Sequence, residues 1–152
     1  MSVVLIVDDD ARIREVLARW LGPAGHVVRE AGEAEGALAD VGANPPDVVL
    51  CDVRMPERDG LWLVDRLCEQ HPTVAIVLAT AIDSVPPAIS LRPSVVEYIV
   101  KPFEREKVLA AVGRAAAWRE AAVARGPQPQ RRDSVEQWMN GARSGPWRGP
   151  RG

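Results

Sequence analysis

Over residues 3–124 two periodicities take turns along the chain, and few folds accept that pattern. Val3-Val4-Leu5-Ile6-Val7 is a continuous apolar run, as in a strand covered on both faces. Ile13, Val16, Leu17, Trp20 and Leu21 follow at i, i+3, i+4, i+7 and i+8, the stripe of an amphipathic helix that stops at Gly22-Pro23. His26-Val27-Val28-Arg29 reads as a second, weaker strand. Ala34, Ala37, Leu38 and Val41 mark a second helix, closed by Gly42 and then Pro45-Pro46. Asp47–Val53 is a third strand, and Leu61, Val64, Leu67 and Cys68 form a third helix ended by His71-Pro72. Val74–Ala79 and Val95–Val100 are the fourth and fifth strands. The last helix runs from near Glu104 through Val108, Leu109, Val112 and Ala115 to near Ala124. Strands separated by helices pair in parallel through right-handed crossovers, which puts helices on both faces. The expected class is therefore α/β, a doubly wound five-stranded parallel sheet.

Two segments depart from this rhythm. Residues 83–94 carry Pro86, Pro87 and Pro93 where a fourth helix belongs, so at most one or two turns fit between Pro86 and Arg92. The fourth helix is expected to be shortened. At Gly126 the composition changes: nine of the last 27 residues are Gly or Pro, with five Arg against Asp133 and Glu136. Residues 1–125 read as the folded domain and 126–152 as a Gly/Pro/Arg-rich tail. The tail is expected to be mostly disordered, with a short helix over 134–140 as the alternative; Asp133-Ser134 would cap it, and Val135, Trp138 and Met139 would share one face.

Composition narrows the function classes. Of 152 residues, 47% are hydrophobic but only 5% aromatic, so the core is mainly aliphatic. Nineteen basic against 21 acidic residues give −2 overall, without the basic signature of a dedicated nucleic-acid binder. The tail arginines, interspersed with Gly and Pro around Trp138 and Trp147, make a poor stacking platform. Cys51 and Cys68 both sit in apolar stretches and are too few for a disulfide framework; they read as buried thiols of a cytoplasmic protein. No apolar run approaches the length of a membrane span, and the first residues lack the basic start of a signal peptide.

Chemistry collects where a doubly wound sheet binds its ligands, beyond the carboxyl ends of the strands. The first strand ends in Asp8-Asp9-Asp10, the third in Asp52, the fourth in Thr80 and the fifth in Lys101-Pro102. Asp10 also suits the N-cap of the first helix. Clustered carboxylates repel, so the rim calls for a cation, and oxygen-only ligands favour a hard one such as Mg²⁺. With a metal and a lysine to neutralise the transferring oxygens, a carboxylate held there can attack a phosphoryl group.

Val7-Asp8-Asp9, Asp52-Val53-Arg54-Met55-Pro56-Glu57-Arg58-Asp59-Gly60, Leu78-Ala79-Thr80-Ala81 and Tyr98-Ile99-Val100-Lys101-Pro102-Phe103 together resemble the response-regulator receiver domains of bacterial two-component signalling, over about residues 3–120. The resemblance implies the flavodoxin-like strand order 2-1-3-4-5. It implies Asp52 as phosphoacceptor from a histidine kinase or phosphotransfer protein. Mg²⁺ would lie on Asp9, Asp52 and the backbone carbonyl of Arg54, with Asp8 assisting. Lys101 would pair with the phosphoryl oxygens, and Thr80 would donate its hydroxyl to them. Ala81 would leave room for the phosphate, Tyr98 would swing inward as the switch aromatic, and Pro102 would follow a cis peptide bond.

The same resemblance frames the departures. Arg54 and Ile82, two residues after Asp52 and Thr80, can neither act as a base nor orient water, so slow self-dephosphorylation is expected. The clipped fourth helix alters the face through which receivers dimerise or meet partners. No output-domain pattern follows Ala124, so the expectation is a stand-alone switch, not an enzyme, that signals through another protein or relays its phosphoryl group; dimerisation stays open. Two alternatives accompany it. Asp8-Asp9-Asp10 formally satisfies the Asp-x-Asp of haloacid-dehalogenase-type phosphotransferases, although Asp52 would then have no role. A phosphate-independent receiver used as a binding scaffold would not require Asp8, Asp9, Asp52, Thr80 and Lys101 to be all present.

Overall fold

A computed structural model describes residues 2–55, 59–80 and 92–125. Five strands, β1 (Val3–Val7), β2 (Val27–Ala31), β3 (Val48–Asp52), β4 (Ala75–Thr80) and β5 (Val95–Val100), form one parallel sheet in the order β2-β1-β3-β4-β5. Four helices are described: α1 (Ala11–Leu21), α2 (Ala34–Ala43), α3 (Gly60–Gln70) and α4 (Arg105–Arg125). The short helix expected within 83–94 falls largely on residues outside the described ones, as do Ala81, Ile82 and the whole tail.

The two-residue side-chain period of the strands sorts the core into two layers. Leu5, Val7, Val49, Cys51, Ile76 and Leu78 pack against Ala34, Ala37 and Val41 of α2 and Leu63, Val64 and Leu67 of α3. Val4, Ile6, Val48, Leu50, Ala75 and Val77 pack on the other face against Leu17 and Leu21 of α1 and Val108, Ala111, Val112 and Ala115 of α4. Both faces of β1, β3 and β4 are thus covered, which is why these strands read as unbroken apolar runs. Edge strand β2 needs no such run: its exposed positions are Val27 and Glu30.

Boundaries differ from the sequence reading by a residue or two. β2 continues through Glu30 and Ala31, which pair with Ile6 and Val7; an edge strand tolerates an outward carboxylate there. β4 is shifted one residue forward, so Thr80 lies inside the strand. Asp47 leaves β3 because its carboxylate caps the sheet, accepting from the Val3 N–H at 2.8 Å and pairing with Arg119 of α4 at 3.4 Å. Between β4 and β5 the register shifts at Ile76/Val77: Ile76 lies opposite Val95, but Val77 opposite Glu97, so Val96 is the extra residue. The irregularity restores Tyr98 to the α3 side of the sheet; without it, a strand in simple alternation would present Tyr98 to α4.

Candidate functional site

Sheet register builds the site. Val7 lies opposite Cys51, so Asp8 and Asp52 come level at the carboxyl edge. Asp52 lies opposite Ala79, which places Thr80 one step beyond, and Thr80 lies opposite Val100, which places Lys101 one further. Backbone bonds continue past the strand ends: Val53 N–H to the Ala79 carbonyl at 3.0 Å, Lys101 N–H to the Thr80 carbonyl at 2.8 Å, and Asp8 N–H to the Ala31 carbonyl at 3.2 Å. The roots of the site's side chains are therefore held by ladder bonds rather than by free loops.

Asp8, Asp52 and Thr80 are buried, Lys101 is half-buried and Asp9 is exposed. One carboxylate oxygen from each of Asp8, Asp9 and Asp52 lies within 4.8 Å of the other two. Lys101 Nζ stands 3.2 Å from Asp52 Oδ2 and 3.7 Å from Asp8 Oδ2. The other oxygen of each buried carboxylate accepts a backbone N–H, Asp8 Oδ1 from Asp10 at 2.9 Å and Asp52 Oδ1 from Arg54 at 3.3 Å. Lys101 also approaches the Phe103 ring, 5.9 Å from its centroid.

Among the described residues, three carboxylates share the ammonium of Lys101, so negative charge is in excess. Asp8 registers the imbalance. Burial pushes its carboxyl above the usual range, opposed by the Asp10 N–H; the charge of Asp52 raises it further, Lys101 opposes, and Asp9 adds to the rise. A concave set of oxygen donors with excess negative charge is the chemistry that a hard divalent cation satisfies, so these residues fit Mg²⁺.

The loop leaving Asp52 is tied closely to it. Asp59 caps α3, its Oδ1 accepting from the Trp62 N–H at 3.1 Å, as Asp10 caps α1 through the Arg12 N–H at 2.9 Å. Gly60 donates to the Val53 carbonyl at 2.9 Å, and a Cβ on it would lie 2.2 Å from the Asp52 carbonyl oxygen. Only glycine permits that approach.

Tyr98 lies opposite Leu78, two residues before Thr80, so Thr80 and Tyr98 share one sheet face as diagonal neighbours. The Tyr98 phenol oxygen is enclosed with no hydrogen-bond partner among the described residues, and burial pushes its pKa up. The Lys101–Pro102 peptide bond is cis. Trp20 and Trp62 pack against the two core layers, while His26 is half-buried. Sequence reasoning missed Arg14 and Glu30. Arg14 donates to the Asp8 carbonyl oxygen at 2.5 Å and pairs with Glu30 at 3.1 Å. No periodicity marks them, since both lie on polar faces; the only signal was a basic residue one helical turn after the Asp10 cap.

Residues 4–113 match the response regulator receiver domain. The chain belongs to that family. Among similar proteins, the DNA-binding transcriptional regulator NtrC of Proteus hauseri is 36% identical over 113 residues, covering 74% of this chain and 24% of that protein. The positive alginate biosynthesis regulatory protein of Pseudomonas aeruginosa is 41% identical over 115 residues, covering 74% of this chain and 46% of that protein. The receiver thus spans about a quarter of the NtrC proteins it matches and under half of the alginate regulator. The crystal structure of the NtrX receiver domain from Brucella abortus superposes with a TM-score of 0.70 at 32% identity, covering 75% of this chain and 98% of that one. The expected fold class and strand order of the receiver are those observed. Membership decides against the haloacid-dehalogenase alternative: receivers are signalling domains in which phosphorylation and Mg²⁺ are typical. No described helix of this receiver is long and apolar enough to cross a membrane.

Proposed function

We propose that this receiver takes a phosphoryl group on Asp52 from a histidine kinase or phosphotransfer protein and changes conformation in response. The observation that carries this reading is the position of Lys101 Nζ, 3.2 Å from Asp52 Oδ2 and beside a three-carboxylate cluster. Asp52 supplies the attacking oxygen. An O–P bond forms as the donor's P–N bond breaks, and the imidazole leaves with the electron pair and takes a proton. Lys101 pairs with the transferring oxygens, which makes its ammonium more valuable in the transition state than in the resting domain. Asp9, Asp52 and the Arg54 carbonyl, with Asp8 assisting, would hold Mg²⁺, which supplies charge neutralisation for the phosphoryl group when bound.

Thr80 donates its hydroxyl to the phosphoryl oxygens, beside the small Ala81, and Tyr98 follows it inward. Their shared sheet face, and a phenol oxygen with no hydrogen-bond partner among the described residues, support this coupling. Output passes to a protein partner by docking or by onward phosphotransfer, and the domain works in the cytoplasm. Arg54, exposed two residues after Asp52, offers no group to activate water, so the phosphorylated form is long-lived. Loss of the label within seconds in Mg²⁺ buffer would contradict that lifetime.

Phosphorylation by acetyl phosphate or phosphoramidate in Mg²⁺, followed by intact mass, tests the reading. Wild type gains one phosphoryl group, EDTA prevents it, and Asp52→Asn abolishes it. An unmodified wild type would leave a binding scaffold as the better description. Labelling that survives Asp52→Asn would refute the assignment of Asp52.

A further inference from the structure

β1 ends at Val7, and the chain must present Asp8 and Asp9 before α1 begins at Ala11. Three contacts hold this bend. The Asp8 N–H reaches the Ala31 carbonyl, the Asp8 carboxylate takes the Asp10 N–H, and the Asp8 carbonyl oxygen takes the guanidinium of Arg14 at 2.5 Å. The guanidinium is itself fixed: Nε lies 3.1 Å from Glu30 on β2, and the side chain is only 19% exposed. Gly32 packs beside it: a Cβ there would lie 3.4 Å from the same guanidinium nitrogen that holds the Asp8 carbonyl, at ordinary contact distance. One side chain therefore joins α1, β2 and the carboxyl end of β1.

The bond to the Asp8 carbonyl is charge-assisted and sets the plane of the Asp8–Asp9 peptide. Asp9 is exposed, and the peptide that precedes it sets where its side chain starts relative to Asp8 and Asp52. We infer that Arg14 is a positioning residue for the cation site, holding Asp8 and Asp9 at the angle from which both reach the cluster with Asp52. The inference rests on the proposed reading of that cluster as the Mg²⁺ site. Orientation of ligands from outside the coordination shell is commonly worth about 10–100-fold in metal affinity.

Charge and geometry predict opposite signs here. Removing a cation beside three carboxylates would, by electrostatics alone, tighten Mg²⁺ binding. Removing the brace loosens it. Arg29 provides the control, because it makes the same two bonds far along the fold: Nε to Asp40 at 3.1 Å and a guanidinium N–H to the Asn44 carbonyl at 2.6 Å.

Titration calorimetry of the full chain with MgCl₂ alone, beside urea unfolding in EDTA, tests the inference. Arg14→Ala is expected to weaken Mg²⁺ binding about tenfold, Arg14→Lys to recover part of it, and Glu30→Gln to weaken it by a smaller factor. Arg29→Ala is expected to cost stability with no change in Mg²⁺ affinity. Unchanged or tighter binding by Arg14→Ala, or equal weakening by Arg29→Ala, overturns the role of Arg14. Should Arg14→Ala not fold, Arg14→Lys and Glu30→Gln decide it, and wild-type affinity in both overturns the role. Absence of Mg²⁺ binding by wild type overturns the site reading itself, and this inference with it.

Discussion

Alanine at Gly60 is expected to destabilise the receiver, whereas alanine at Gly113 is expected to stabilise it. Gly60 opens α3 directly behind β3. The atoms a Cβ would meet are all backbone: the Asp52 carbonyl oxygen at 2.2 Å, Val53 Cα at 2.9 Å and the Asp52 carbonyl carbon at 3.0 Å. No side-chain rotation relieves the overlap, so the start of α3 must retreat by about 1 Å to reach ordinary contact. That retreat pulls on the bond from Gly60 N–H to the Val53 carbonyl and on the Asp59 cap. Overpacking of this kind costs about 1–3 kcal/mol, and a weakened hydrogen bond about 1 kcal/mol more. Alanine's helix preference recovers less than about 1 kcal/mol, and little of it at a first helical residue. The net loss is about 2–3 kcal/mol. Gly113 sits inside α4 with nothing within 4 Å of its would-be Cβ, so only the propensity term acts there, a gain of about 0.5–1 kcal/mol. Urea unfolding followed by circular dichroism at matched Mg²⁺ measures both. A Gly60→Ala protein within about 0.5 kcal/mol of wild type, the range of an unremarkable surface change, would show that the backbone yields freely and that the close approach carries no cost.

The buried Asp8 carboxyl makes stability depend on pH without metal. Burial raises the folded pKa of Asp8, so its contribution to stability is full below the unfolded pKa and lost as pH rises through the folded one. In EDTA the urea midpoint should fall across that window, and Asp8→Asn should flatten the fall; parallel curves for the two proteins would contradict it. Asp59→Ala removes the α3 cap and is expected to cost about 1 kcal/mol in the same assay. Cys51 is fully buried, and burial together with the charges of Asp52, Asp8 and Asp59 pushes its thiol up. It should therefore react with Ellman's reagent only at the rate of unfolding; rapid native-state labelling at Cys51 would exclude this.

Much of the fold was legible because the covered strands leave an unmistakable trace. β1, β3 and β4 are apolar on both faces; β3 and β4 end in a polar residue of the rim, and β1 is followed directly by one. Edge strand β2 was harder to bound, since Glu30 and Ala31 carry no apolar signal and earn their place by pairing with β1. The register irregularity around Val96 was invisible for a related reason. It changes which way Tyr98 faces without changing the composition of β5. Residues Asp8, Asp9, Asp52, Thr80 and Lys101 could be grouped in advance because parallel strands place all their carboxyl ends on one edge. Arg14 and Glu30 could not be grouped with them. Their roles depend on a backbone carbonyl and on a helix–strand distance, and neither is written in residue type. Gly60 closes the motif that begins at Asp52, but the reason it must be glycine is the position of the Asp52 carbonyl, which residue type does not show.

The same register explains why such a site suits a switch. Asp8 and Asp52 are held by backbone N–H bonds on one oxygen each, and the other oxygens compete for Lys101. With one ammonium between two buried carboxylates, the resting cluster is under-neutralised, and an added cation or rearranged charge changes its energy more than the same change would at the open surface. A ligand shifts a conformational equilibrium only by the difference in its affinity for the two states. On the proposed reading, a phosphoryl group on Asp52 supplies that difference at the one edge where all five parallel strands end. It draws Lys101 from one side and the Thr80 hydroxyl from the other. Thr80 shares its sheet face with Tyr98, whose phenol oxygen has no hydrogen-bond partner among the described residues. Among the described residues, what holds that side chain is the packing of its ring against the core layer that includes Leu78, which a charge-assisted bond at Thr80 can offset.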